Sequence, residues 1–80
     1  MRFTVVWTPA ALNQRADIWN RATDRAAVTA AAYQVDILLR DDPDIQGTDF
    51  YGDRYLVVQP IHVVFSINHL DMQVEIQLVW

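Results

Sequence analysis

The chain has 80 residues and a mass of 9.2 kDa, which is room for one small domain, and a chain of this size buries only about 60% of the surface its unfolded form exposes. Hydrophobic residues at 52% and charged residues at 20% exclude a disordered chain, and the absence of cysteine excludes a disulfide scaffold and thiolate metal sites and fits a reducing cytoplasm. Six arginines, no lysine and ten acidic residues leave a net charge of -4, which argues against strong nonspecific nucleic-acid binding, because that affinity comes largely from neutralising phosphates.

The opening MRFTVVWTP holds too short an apolar run for a signal peptide, and nothing approaches the roughly 18 apolar residues of a membrane span. Residues 2–7 alternate, with Phe3, Val5 and Trp7 on one face, and read as a strand. Thr8-Pro9 then starts a helix: the Thr8 hydroxyl can accept a bond from an orphan N–H, and Pro9 fits the first turn, where no N–H bond is lost. This helix is expected over 9–20, with Leu12, Ala16 and Trp19 as its buried stripe and Ile18 beside them. A break at Ala22-Thr23-Asp24 supplies Thr23 or Asp24 as the cap of a second helix running to about Arg40. Val28, Ala31 or Ala32, Val35 and Leu39 form its core stripe, widened by Ile37 and Leu38. Its alanine-rich first half favours helix and lets a neighbour approach closely, so an antiparallel hairpin of helices is predicted. Pro43 ends the second helix, because the residue before proline avoids the helical region.

Residues 41–53, DDPDIQGTDFYGD, read as a loop, with Gly47 and Gly52 free to turn. Three strands are expected beyond it: 54–59, stopped by Pro60; 61–68, with Ile61, Val63, Phe65 and Ile67 on one face; and 72–80, with Val74, Ile76, Leu78 and Trp80 inward. His69-Leu70-Asp71 makes the last turn. Short connections favour an antiparallel meander. The result is a β-α-α-β-β-β order in an α+β, two-layer architecture. A helical hairpin packs on a four-stranded, mainly antiparallel sheet, and the whole chain, 1–80, forms one domain.

Few residues can carry chemistry. Asp42, Asp44, Gln46, Gly47 and Asp53 fall on a calcium-loop template, but Pro43 stands at its second position, Asp replaces the closing Glu, and a strand follows where a helix belongs. The loop reads as a solvated turn, and no metal or cofactor is expected. Of the two histidines, His69 sits in a turn beside Asp71 and reads as solvated. His62 lies on the opposite strand face from Val63 and Phe65, either as a half-exposed strand histidine or as a general base titrating near neutrality. The one serine, Ser66, is within a strand, and there is no glycine-rich phosphate loop. Arg15, Arg21 and Arg25 fall on the helical hairpin, where pairing with Asp17 and Asp24 is expected in preference to phosphate binding. Trp7, Trp19 and Trp80 are expected as core aromatics, Trp80 partly exposed at a sheet corner.

The strand-then-helix opening FTVVWTPAA, the DDPDIQG loop, the strands GDRYLVV and IHVVFSIN and the closing VEIQLVW together resemble the RelE/ParE toxin superfamily of bacterial type II toxin–antitoxin modules, over nearly the whole chain. The resemblance implies a helical hairpin on an antiparallel sheet and an antitoxin partner that wraps the toxin. Some members cleave messenger RNA on the ribosome and others inhibit DNA gyrase, so gyrase or the ribosome is the implied target. By position, Arg54 matches the arginine that the family often places after the loop glycine, and His62 falls where the ribonuclease members usually carry a catalytic arginine. Those members also place His, Arg or Tyr just beyond the last strand, where this sequence ends in Trp80, and they grip RNA with lysines, of which there are none. In-line attack by a 2′-hydroxyl needs a base, an acid and charge stabilisation, so these departures count against cleavage.

Three readings follow. The first is a cytoplasmic, ParE-like toxin that acts by protein binding and is neutralised by an antitoxin. The second is an mRNA endonuclease with His62 as base and Arg54 as phosphate clamp. The third is a non-toxic interaction domain, for which a homodimer is the expected form.

Overall fold

The computed structural model describes residues 2–80. The elements in chain order are β1 (Thr4–Trp7), α1 (Pro9–Arg21), α2 (Arg25–Asp41), a 3-10 turn (Pro43–Ile45), β2 (Thr48–Phe50), β3 (Asp53–Val58), β4 (Ile61–Asn68) and β5 (Gln73–Val79). The helix signals act as the sequence indicates. The Thr8 side chain accepts from the Ala11 N–H with Pro9 in the first turn, and Asp24, not Thr23, caps α2 by accepting from the Ala27 N–H at 3.0 Å.

The sheet has five strands in the order β1-β5-β4-β3-β2, not the expected four. β2 through β5 form the antiparallel meander, and β1 returns to pair with β5 in parallel. The extra strand, β2, lies inside the segment read as loop. It is three residues long and half exposed, too short to show an alternation. Its pairing with β3 is forced from two places. Tyr51 (φ 51) and Gly52 (φ 91) both take positive φ between the paired Phe50 and Asp53, as a tight two-residue hairpin turn requires. At the other end Gly47 lies so close to β3 that an added Cβ would sit 2.2 Å from the Tyr55 carbonyl oxygen.

The core lies between the helices and one sheet face. Val28, Ala31, Ala32, Val35 and Leu39 of α2 meet Ile61, Val63 and Phe65 of β4 and Val74, Ile76 and Val79 of β5. The α2 stripe is therefore the expected one. The α1 stripe is not: Leu12 is 42% and Trp19 41% exposed, Ala16 is also exposed, and α1 buries Ala11 with Ile18 packed beside it. The helix is rotated because its polar side chains dock on β5 beyond the end of β1. The Thr8 backbone N–H and hydroxyl both donate to the Ile76 carbonyl, and the Gln14 side-chain oxygen accepts from the Val79 N–H at 2.8 Å. Those bonds satisfy β5 backbone groups that β1, ending at Trp7, no longer reaches.

A second correction concerns β5. The register steps from Val64↔Leu78 to Phe65↔Ile76, so Gln77 is the extra residue of a β-bulge. The alternation holds for Val74 and Ile76 and then inverts: Val79 is buried, while Leu78 (43%) and Trp80 (48%) are exposed on the face away from the helices. Of the three tryptophans, only Trp7 packs against the core, and its indole N–H donates to Asp36 at 2.7 Å.

The arginines of the hairpin do not pair with aspartates. Arg21 donates to the Asp17 carbonyl, and Arg25 to the carbonyls of Trp19 and Asn20. The last turn of α1 presents unpaired carbonyls with the negative end of its dipole, and Asp24 is occupied as a cap.

Candidate functional site

Directly opposed residues of an antiparallel ladder share a face, so the register sorts the candidate residues. Arg54 pairs with the buried Phe65 and lies on the helix side of the sheet; His62 pairs with Val57 and lies on the open side. The structure does not bring these two together. Arg54 turns into the loop before β2, where Nε donates to the Gln46 carbonyl at 2.8 Å and Nη2 to the Gly47 carbonyl at 3.0 Å. It fastens the backward bend that sets β2 against β3.

His62 is the centre of an aromatic cluster on the open face. It exchanges backbone hydrogen bonds with Trp80, N–H to carbonyl at 2.7 and 3.0 Å, which sets the two side chains next to each other. The rings of Tyr55, His62 and Trp80 are nearly parallel, with interplanar angles of 8–17° and centroids 5.5–5.9 Å apart. The Tyr55 hydroxyl and His62 Nδ1 share a hydrogen bond of 2.6 Å. Phe50 of β2 extends the cluster, 5.9 Å from Tyr55. Beneath it Val64, flanked by Tyr55 and Leu78, is only 2% exposed although it faces away from the core. Four strands thus contribute to one apolar, aromatic surface. It exists because Gln77 is taken up as a bulge: paired regularly, Gln77 would oppose Val64 and Trp80 would point to the helices.

The chemistry available there is narrow. A phosphodiester cut needs a base, an acid and a cation near the developing charge. The surface supplies one imidazole and one phenol, bonded to each other. Among the described arginines, Arg15, Arg21, Arg25 and Arg40 belong to the helical layer, Arg54 is turned into its loop, and Arg2 precedes the part of β1 that pairs with Gln73, at the far end of β5 from Trp80.

The other sequence candidates have settled roles. His69 lies in the β4–β5 turn, exposed, with Nε2 2.7 Å from an Asp44 carboxylate oxygen and its ring edge-on to Phe3. Asp42, Asp44 and Gln46 lie in and around the 3-10 turn, and among the described residues no group of three acidic or histidine side chains converges as a metal centre would require. No described helix is long and apolar enough to cross a membrane. Sequence reasoning missed Tyr55, Phe50 and the outward placement of Trp80. The alternation Arg54-Tyr55-Leu56-Val57 carried the Tyr55 signal, since Tyr55 shares parity with Val57 and not with Leu56.

No protein-family model matches the chain, and no curated protein matches it in sequence. In three dimensions it is similar to a chain of the crystal structure of the toxin–antitoxin complex RelBE2 from Mycobacterium tuberculosis, with a TM-score of 0.82 and 16% identity over 99% of this chain and 96% of that one. At that identity the likeness establishes the fold. This chain therefore has the fold of a protein found in that toxin–antitoxin complex, with one more strand than the sequence indicated.

Proposed function

We propose that the chain is the toxin of a toxin–antitoxin pair, that it acts by binding another protein rather than by cutting RNA, and that an antitoxin neutralises it. The observation that carries this reading is the open sheet face. Phe50, Tyr55, His62 and Trp80 form a surface rich in the large, rigid aromatic side chains that anchor protein interfaces, with Arg54 turned away from it into the loop before β2. Structural likeness to a chain of a toxin–antitoxin complex supports the module and the antitoxin partner. Arg54 bound to loop carbonyls speaks against its use as a phosphate clamp.

The test is controlled expression in a bacterial host. Growth arrest is expected, with Trp80→Ala relieving it while leaving the protein folded. Primer extension on host transcripts is expected to show intact messenger RNA, and a DNA-supercoiling assay with purified gyrase tests that target directly. Cleaved transcripts that become intact with His62→Ala would replace this reading with the endonuclease, His62 acting as base. Unimpaired growth, with a self-associating protein in solution, would replace it with the non-toxic interaction domain.

A further inference from the structure

The open sheet face carries charge beside its rings, and the strand register places that charge. Asp53 opposes Phe50 and stands two residues before Tyr55, so all three share the face. The pairing of Arg54 with Phe65 brings Asp53 beside Ser66, and Glu75 pairs with Ser66 from the other side. The two carboxylates therefore flank Ser66 across two strand spacings, about 10 Å. Both are uncommitted: Asp53 and Glu75 accept no hydrogen bond or ion pair from another described side chain, whereas the Ser66 hydroxyl between them already accepts from Gln77.

The rings of this face lack a cation that the other tryptophans have. Trp7 and Trp19 each carry an arginine of this chain over the ring, Arg15 at 4.5 Å and Arg25 at 4.7 Å. Trp80, 48% exposed, carries none among the described residues, and neither does Tyr55. Tyr55 and His62 are joined through the hydroxyl and Nδ1 with their rings 17° apart, and Trp80 lies within 10° of both. The three rings thus make one broad surface of nearly parallel planes. The ring quadrupole attracts a cation, and a guanidinium, flat and more weakly hydrated than an ammonium, stacks on such a surface best.

We infer that the open face receives an arginine-bearing segment of the target protein, with one guanidinium over the Tyr55 and Trp80 rings and paired with Asp53, and a second basic side chain on Glu75. Asp53 and Tyr55 are alternate residues of one strand, about 7 Å apart along it, so a side chain lying on the ring reaches the carboxylate. The same charges disfavour the other occupants. A second copy of this face would set Asp53 and Glu75 against its own carboxylates, and a phosphate backbone would meet them too. The inference rests on the proposed function, since it takes the open face as the surface that meets the target.

The test titrates the whole nitrogen-15-labelled chain with two capped peptides, Gly-Arg-Gly-Arg-Gly and its lysine twin, and follows the Trp80 indole N–H and the backbone amides by NMR. The arginine peptide is expected to shift Trp80, His62 and Tyr55, with the lysine twin about threefold weaker or more. Trp80→Ala and Asp53→Asn are each expected to weaken the arginine peptide by about threefold; Asp53→Asn, a near-isosteric change, serves if Trp80→Ala fails to fold. Equal binding of the two peptides, shifts confined to the helices, binding unmoved by either substitution, or no shift at about 10 mM peptide overturns the inference. So does a single-stranded RNA hexamer that binds the same face more tightly than the arginine peptide, or a concentration-dependent dimer that Trp80→Ala dissociates, since RNA or a second copy would then be the occupant. Growth arrest relieved by Trp80→Ala without a preference for arginine overturns this inference alone. A preference for arginine in a chain that leaves growth unimpaired upholds the site and removes the toxin reading.

Discussion

Arg54 separates a structural from a catalytic account of this protein. Replacing it with alanine removes two charge-assisted hydrogen bonds, at 2.8 Å to the Gln46 carbonyl and 3.0 Å to the Gly47 carbonyl. Bonds to a charged donor contribute about 1.5–3 kcal/mol each. Arg54, Gln46 and Gly47 are half-buried, so water can reach the released carbonyls and the low end of that range applies. The expected loss is about 2–3 kcal/mol in all. For a domain of this length, each kcal/mol moves the melting temperature by roughly 4–8 °C, so a fall of roughly 10–20 °C is expected in a circular-dichroism melt. Arg54→Lys should recover less than half of it, because an ammonium cannot reproduce the planar fork that spans two carbonyls. Activity of the folded variant, assayed well below its melting temperature, should persist. A melt within about 0.5 kcal/mol of the parent, together with lost activity, would refute the reasoning and return Arg54 to the catalytic role that its sequence position suggests.

The two glycines give a paired test. Gly47→Ala puts a Cβ against the Tyr55 carbonyl and should destabilise by more than about 3 kcal/mol, whereas Gly52→Ala, with nothing within 4 Å, should cost only the left-handed backbone penalty of about 1–2 kcal/mol; urea melts of equal midpoint would contradict this. Phe65→Ala removes a fully buried ring from the centre of the sheet and should cost about 3–5 kcal/mol, enough to leave little folded protein at 25 °C by circular dichroism. Thr8→Ala loses both the α1 cap and the hydroxyl bond to the Ile76 carbonyl, and about 1–2 kcal/mol is expected in the same melts, with Thr8→Ser largely restoring it. Deleting Gln77 should remove the bulge yet keep Leu78 opposite Val64 and Trp80 beside His62, so acrylamide quenching in a variant where Trp80 is the only tryptophan should be unchanged; protection of Trp80 would contradict the register.

Much of this molecule is legible locally. Thr8-Pro9, Asp24 and Pro43 are backbone-level instructions, satisfied within a few residues of where they are written, so the two helices begin and end where the residues place them. The α2 core stripe and the β4 alternation follow from a single period with no competing choice. The remainder depended on partners distant in the chain. α1 has apolar residues around much of its circumference, and which of them are buried was decided by Thr8 and Gln14 reaching the end of β5, more than sixty residues on. β2 exists because Gly47 and Arg54 hold its three residues against β3, an arrangement too short for any periodicity to announce. One extra residue at Gln77 reversed the faces of Leu78 and Trp80 and assembled the ring cluster around His62. Sequence by itself determined the two helices and the four longer strands, because those preferences are satisfied by neighbours. Only the tertiary structure decided which faces of them meet solvent, because register and rotation are set by hydrogen bonds between strands and helices far apart in the chain.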